Sequence, residues 1–549
     1  MLDAQDLSKI KDVKSVTKKK PIEFGGAIGL GAGYYRNSSN QERMAPWNWY
    51  VSGSPFVKIY GINIPFSFTY SETGRSLTHP FHYNFTGASP YYKWATSHLG
   101  YRSMNFSDYT VNGVVFNGVG LELKPGILRF GAFYGVFNPA VEGDTFGGNF
   151  GVILPAYKRI GYGAKLGIGS DKNYFDLIYF RGRDDEKSLK SVPNFKTITP
   201  SDNVTFSPRL KFTILKHWVI ESDIALSVFT RNVLNDTLKE TEDLKTAYKF
   251  VRVNTTSYGA VAGHVATGLN YDKWSISLRA RQVSSDYQSM GINLLQDDIR
   301  EYTINPTLRL FKSKLGLSGS YGLYTDNVSG KRLNTTVRKI YNTNVNFQPT
   351  VRFNSNLSYN NFGTSRTNGL IQMNDSITFS IINESYSANL NFMLGKIKKP
   401  VVLSLFAMIQ SARDRNIFTR QFNNSDVLNI GLSSQYKWEK IGFQLSGGLA
   451  YAQFNAGGVD YDTRNINVSF RKQLGRKKNN LMLTTAFSQR YKESLYQGDV
   501  TSLMLMYQAN LGKRHSISTQ ARYMINSTGI ISNSSFNEQR VSIQYGFKL

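Results

Sequence analysis

A chain of 549 residues would by length alone be divided into several globular domains, yet no linker or change of composition offers a seam. Apolar residues make up 41% of it, but a mean hydropathy of -0.33 spreads them among polar ones, and no run reaches the roughly 18–20 apolar residues of a membrane helix. Helical membrane proteins are therefore excluded, and the absence of cysteine excludes disulfides, cysteine metal sites and thiol nucleophiles. The net charge of +27 invites nucleic acid as a partner, but the basic residues are scattered over turns and alternate positions without a basic helix or a nucleic-acid module. No nucleic-acid partner is expected.

The lysine-rich stretch 1–20 comes first, and its opening Met1-Leu2-Asp3-Ala4 is not the charged and apolar start of a secretory leader, so the chain reads as mature or trimmed. From residue 21 to 549, segments of roughly 10–14 residues alternate apolar and polar side chains, the period of a strand with one apolar and one wet face. The first of them holds Gly25, Gly29, Gly31 and Gly33 on one face, opposite Phe24, Ile28, Leu30 and Tyr34. This glycine run fits no phosphate-binding loop, because the spacing is wrong and no helix follows. It reads as a smooth inner wall, with the 1–20 arm as a candidate partial plug against it. Further along, Val204, Phe206, Leu210 and Phe212 oppose Thr205, Ser207, Arg209 and Lys211; Trp274, Ile276, Leu278 and Ala280 oppose Ser275, Ser277, Arg279 and Arg281; and Ile441, Phe443, Leu445, Leu449 and Tyr451 oppose Gln444, Ser446, Gly448 and Ala450.

Segments of about 10 residues suit a tilted crossing of a bilayer, whereas soluble strands average about 5–6. Tight connections such as Tyr60-Gly61, Asp272-Lys273, Glu439-Lys440 and Gly512-Lys513-Arg514 exchange with long polar ones such as 72–89, 138–159, 231–256, 326–337 and 414–424. Short periplasmic turns and long outer loops produce that asymmetry in a membrane barrel. The reading is a single transmembrane antiparallel β-barrel of about 26 strands, within a range of 22–26, with both termini periplasmic. An even count requires Met104–Val111 to be a strand, paired through an Asn112-Gly113 hairpin with the segment from Val114.

Candidate functional residues are few. Arg129, Arg209, Arg279, Arg281, Arg309, Arg471 and Arg522 fall on inward faces, where they either bias the lumen toward anions or pair with lumenal carboxylates. His79 and His82 flank Pro80-Phe81 in a loop without a third ligand nearby, and His217 and His515 adjoin tight turns. Asp184-Asp185-Glu186, Asp297-Asp298 and Asp460 with Asp462 are acidic groupings assigned to connections, where they serve as solvated charge or as calcium ligands. No convergent catalytic set is visible, so neither an enzyme nor a cofactor is expected.

The last segment, Val541 to Leu549, alternates to its end and resembles the terminal recognition strand of outer-membrane barrels through Tyr545, Phe547 and Leu549, although such strands usually end on an aromatic residue. Two stretches, Phe66-Ser67-Phe68-Thr69-Tyr70-Ser71-Glu72-Thr73-Gly74-Arg75-Ser76 with Ser89-Pro90-Tyr91-Tyr92-Lys93-Trp94, and His98 to Ser107, resemble the N-terminal part of large, mostly uncharacterised outer-membrane proteins of the Bacteroidota. Thr237 and Ser376, each between an Asp and an aliphatic residue, resemble the sites at which that phylum O-glycosylates envelope proteins. The resemblance implies an outer-membrane location among lipopolysaccharide, and it implies no established activity. What remains expected is a pore or a transport or export component working with envelope proteins, or else a scaffold barrel with a closed lumen.

Overall fold

The computed structural model describes residues 21–39, 45–71, 85–142, 154–190, 198–236, 253–368, 380–396, 399–475, 479–529 and 535–549. They form one closed, all-antiparallel barrel of 26 strands. Successive strands pair with their neighbours around the ring, and closure comes when Phe536–Lys548 pairs with Ala27–Asn37, from Ala27↔Lys548 to Asn37↔Glu538. Tyr545 and Phe547 belong to this seam, which satisfies peptide groups that an open edge would leave bare in hydrocarbon.

Side chains alternate around that ring as the period-two reading requires. The outward face carries large apolar residues that stay exposed, among them Tyr134 at 55%, Leu166 at 57% and Leu449 at 55%. A surface of this kind is stable against acyl chains and not against water. Aromatic residues gather where the tight turns lie: His217 stacks on Tyr271 at 4.3 Å, Tyr271 on Trp274 at 4.8 Å, and Trp438 meets Tyr436 at 4.4 Å. Such a girdle marks the level of a membrane interface.

Two expectations are corrected. Met104–Val111 is no wall strand: Ala95–Ser103 pairs directly with Val115–Leu123, and the connection between them, 104–114, turns inward. The ring still closes on an even number because Ile22–Gly25 and Ala27–Asn37 act as one interrupted strand, as do Trp47–Gly53 with Phe56–Ile59 and Phe85–Ala88 with Tyr91–Tyr92. The exchange of short with long connections also fails late in the chain. Gly457-Gly458 and Glu493-Ser494 are two-residue turns at the end where long loops otherwise lie, so Asp460 and Asp462 stand on the strand Val459–Leu474. Strands from Asn334 to Thr528 run to 14–17 residues, against 9–14 for the full-length strands between Ala95 and Asp326. The wall is taller on one side.

The arm 1–20 lies outside the described residues. The smooth wall after it is covered by its neighbours: Tyr50 lies over Gly31, Phe56 over Gly25 and Asn48 over Gly33, so that a Cβ on any of the three glycines would meet them. Gly31→Val forces Tyr50 aside and costs about 1–3 kcal/mol of overpacking. A lowered temperature for loss of the compact, heat-modifiable form on a detergent gel is the expected outcome, with recovery when Tyr50→Ala is added.

Candidate functional site

The segment 104–114 and a second connection, 284–298, leave the long-loop end of the barrel and fold back against the inner wall. They meet each other in a short parallel ladder, Gly291↔Val111 and Ile292↔Asn112, far apart in sequence and invisible to any local periodicity. Together they form an insert. Its apolar side chains Met104, Phe106, Val111, Val114 and Met290 are buried with the wall residues Phe116, Phe133, Phe137, Ile178, Phe180 and Phe229. Tyr109 and Tyr287 are buried in a second cluster with Ala225, Ala262, Val283 and Ile299.

Glycines in the wall make room for this layer. A Cβ on Gly120 would sit 2.5 Å from the Met104 sulfur, one on Gly131 2.9 Å from the Phe106 ring, and one on Gly182 2.7 Å from Met290. The glycine pattern thus records the insert's footprint on the sheet.

Several polar groups in and under the insert are bonded individually, while the buried Thr110 hydroxyl has no partner. The buried Asp223 carboxylate accepts from the Ser107 and Ser207 hydroxyls, each at 2.8 Å, and from the Asp108 amide at 3.1 Å. Asn203 accepts from the Met290 amide at 3.0 Å, while Ser227 donates to the Gln288 carbonyl at 2.6 Å. Tyr287 donates to the Tyr109 carbonyl at 2.6 Å, Ser289 to the Thr110 carbonyl at 2.6 Å, and the Tyr109 hydroxyl lies 3.1 Å from His264 Nδ1. Burial pushes the Tyr109 and Tyr287 phenols above their ordinary range, so both stay neutral donors at physiological pH.

The inward arginines fall into two groups. Arg129 makes a bidentate pair with Asp176 at 2.8 and 3.1 Å, Arg209 reaches Glu221 at 3.4 Å and the Phe106 carbonyl at 3.3 Å, Arg279 lies 3.8 Å from Asp108, and Arg281 lies 3.3 Å from Glu301. Arg209, Arg279 and Arg281, the last lying over the Tyr109 ring, touch the insert, whereas Arg129 pairs within the wall, and all four carry little uncompensated charge. Arg309 and Arg471 are exposed, with no carboxylate in ion-pair range among the described residues, and Arg522 donates to Ser502 at 3.3 Å. The acidic groupings are held by the protein's own donors: Asp184 by Arg159 at 2.8 Å, Glu186 by Arg183 at 3.1 Å, Asp297 by Arg332 at 2.7 Å, and Asp298 by Ser329 at 2.8 Å. Tyr451 and Asn455 bond Asp462 and Asp460 in the same way. No group of three or more His, Asp or Glu able to hold a metal occurs among the described residues. His79, His82, Thr237 and Ser376 lie outside the described residues.

The wall facing away from the insert is of another kind. Following the register across strands gives one inner-face row of Asn354, Asn391, Ser404, Ser433, Gly448 and Asn467, and beside it Asn356, Asn389, Phe406, Gly431, Ala450 and Asn465. Neither row contains an ionisable side chain. Neighbouring amides and hydroxyls bond one another, as in Asn344 with Asn356, Ser358 with Ser387 at 2.7 Å and Ser404 with Asn391 at 2.7 Å. The lumen therefore has an ion-paired side packed by the insert and, across from it, a stretch of wall lined by amides and hydroxyls. Alternation alone identified the inner face; it could not divide that face in two.

No protein-family model matches the chain, and no curated relative matches it. Among solved structures it is similar to the cryo-EM structure of the E. coli P pilus tip assembly intermediate PapC-PapD-PapK-PapG, at 9% identity over 95% of this chain and 60% of that one, with a TM-score of 0.46. It is also similar to the FrpB iron transporter from Neisseria meningitidis, at 10% identity over 96% and 81% with a TM-score of 0.40. Acinetobacter baumannii OccAB2 matches at 10% identity over 68% and 97% with a TM-score of 0.29. Likenesses at these values carry no argument about activity.

Asp223→Ala strips the insert of its main polar anchor and leaves the Ser107 and Asp108 donors unmatched. Losing hydrogen bonds to a charged group, about 1.5–3 kcal/mol each, raises the opened population of 104–114 by roughly a hundredfold or more. Limited proteolysis within that segment is expected to accelerate accordingly, while the heat-modifiable barrel persists.

Proposed function

We propose that the protein is a bacterial outer-membrane conduit, with long loops outside and both termini periplasmic, whose lumen is narrowed by its own insert. The observation that carries this reading is the contrast between the two sides of the lumen. A ring of 26 strands, spaced about 4.8 Å and tilted about 40°, is about 50 Å across if round. A layer of chain packed on one wall takes up about 10 Å of that width, so the insert lines the lumen without filling it. The opposite wall presents rows of amides and hydroxyls, which suit water and neutral hydrophilic solutes.

Ion selectivity is expected to be weak. Arg129, Arg209, Arg279 and Arg281 are neutralised by carboxylates, whereas Arg309, Arg471 and Arg522 contribute positive charge to the lumen. Lipopolysaccharide around the barrel and envelope proteins at either end are the expected company of such a conduit, and Thr237 and Ser376 are proposed as outward glycosylation sites.

Single-channel recording in planar bilayers tests the reading. A steady conductance with a reversal potential only slightly favouring anions is expected, rising when residues 106–111 are replaced by a short glycine linker. A membrane-inserted, folded protein that passes no current in either form would overturn it in favour of a scaffold with a closed lumen.

A further inference from the structure

The last two strands of the ring carry a pair of cations with no acidic partner among the described residues. Arg522 on His515–Thr528 and Arg540 on Phe536–Lys548 stand directly opposite one another in register, both on the inner face and both exposed. Like charges so placed repel across a ladder, with Cβ atoms only about 5 Å apart. Arg522 donates to the Ser502 hydroxyl at 3.3 Å, and Glu538, two positions along from Arg540, accepts from the Tyr35 hydroxyl instead. The contrast with the insert side is direct, since Arg129, Arg159, Arg209, Arg279 and Arg281 each have a carboxylate there.

Beside this pair the lumen wall turns apolar. Four of the chain's 11 methionines lie on the inner faces of three successive strands: Met482 on Asn479–Lys492, Met504 and Met506 on Leu495–Leu511, and Met524 on His515–Thr528. The register joins them to the arginines, with Met504 opposite Arg522, Met506 opposite Met482, and Met482 opposite Arg471 on its other side. Contacts do the same: Arg522 Nη2 lies 4.0 Å from the Met524 sulfur, and Gln520 Nε2 lies 3.2 Å from the Met504 sulfur. All four methionines are half-buried, and none belongs to the core under the insert. Further along the row of Met504 the wall returns to Thr484 and Ser469. An apolar patch facing water gains by being covered, and methionine, flexible and polarisable, adapts to bodies of varied shape.

We propose that this patch is a binding site for a small amphiphilic anion, an organic carboxylate whose charged end lies between Arg522 and Arg540 and whose apolar body lies along the methionines. The two guanidinium groups supply the recognition, since a carboxylate accepts their donors bidentately and relieves the repulsion between them. The methionines select against anions that have no apolar body. Two strand spacings, about 10 Å, separate the strand of Arg522 from that of Met482, which is room for a body of several carbons. The site rests on the conduit reading only in requiring that a small solute reach the lumen.

The test places the full chain, carrying methyl-labelled methionine, in nanodiscs and follows the methionine methyl resonances by NMR during titration with hexanoate, 1-hexanol and acetate at neutral pH. Single Met→Leu variants assign the signals. Hexanoate is expected to shift the methyls of Met482, Met504, Met506 and Met524 saturably, and to leave Met104 and Met290, packed under the insert, unmoved. Hexanol, which lacks the charge, and acetate, which lacks the body, are each expected to bind at least tenfold more weakly. Arg522→Gln combined with Arg540→Gln is expected to raise the Kd for hexanoate roughly tenfold or more, to the level of hexanol. Equal binding of hexanol and hexanoate by the unaltered chain would overturn the role of the arginines, and equal binding of acetate and hexanoate would overturn that of the methionines. Steady current through the barrel without saturable shifts at the four methyls would overturn the site and leave the conduit standing; saturable shifts in a barrel that passes no current would do the reverse.

Discussion

Everything in this molecule follows from the cost of a bare peptide group in hydrocarbon. A strand that crosses a bilayer must bond on both edges, and a sheet of such strands can meet that demand only by closing on itself. The pairing of Ala27–Asn37 with Phe536–Lys548 is the contact on which that closure rests, since without it two edges would be open along their length. Closure at 26 strands has a second effect: it encloses more space than inward side chains fill. The chain answers this on one side with a packed insert and on the other with a hydrated wall.

The insert behaves as a small soluble core built inside a membrane protein. It has what such a core needs: buried aromatic rings, with Phe116 on Phe133 at 4.9 Å and Phe137 on Phe180 at 5.8 Å, glycines that admit them, and a bonded carboxylate at Asp223. The pairing of Arg129, Arg209, Arg279 and Arg281 follows from the same setting, because a cation against a dry layer is stable only with a partner close by. On the hydrated wall no such need arises, and asparagine and serine replace the ion pairs.

The barrel itself was legible in the amino-acid sequence because a strand's two faces are written locally, every second residue. Phe206 out and Ser207 in, or Leu278 out and Arg279 in, require no knowledge of the rest of the chain. The insert was not legible for the same reason. Met104 and Phe106, then Tyr109 and Val111, alternate well enough to pass for a strand, and the distinction lies in a contact with Gly291 and Ile292, about 180 positions away. Nor could alternation tell a paired arginine from a free one: Arg129 and Arg309 have the same local pattern, and the difference is Asp176 on another strand. The rule that long and short connections exchange held where loops carry extra chain and failed at Gly457-Gly458 and Glu493-Ser494, where a two-residue turn closes the hairpin at the long-loop end.

A lumen partly occupied by its own chain makes a direct demand on backbone protection. Hydrogen exchange of the protein in nanodiscs, resolved to short peptides, should find the amides of 106–112 and 289–292 protected on the timescale of the neighbouring strands, because they are bonded to Asp223, Asn203 and each other. Exchange of both segments at the rate of a free loop, with the wall strands still protected, would contradict the insert and the division of the lumen that rests on it.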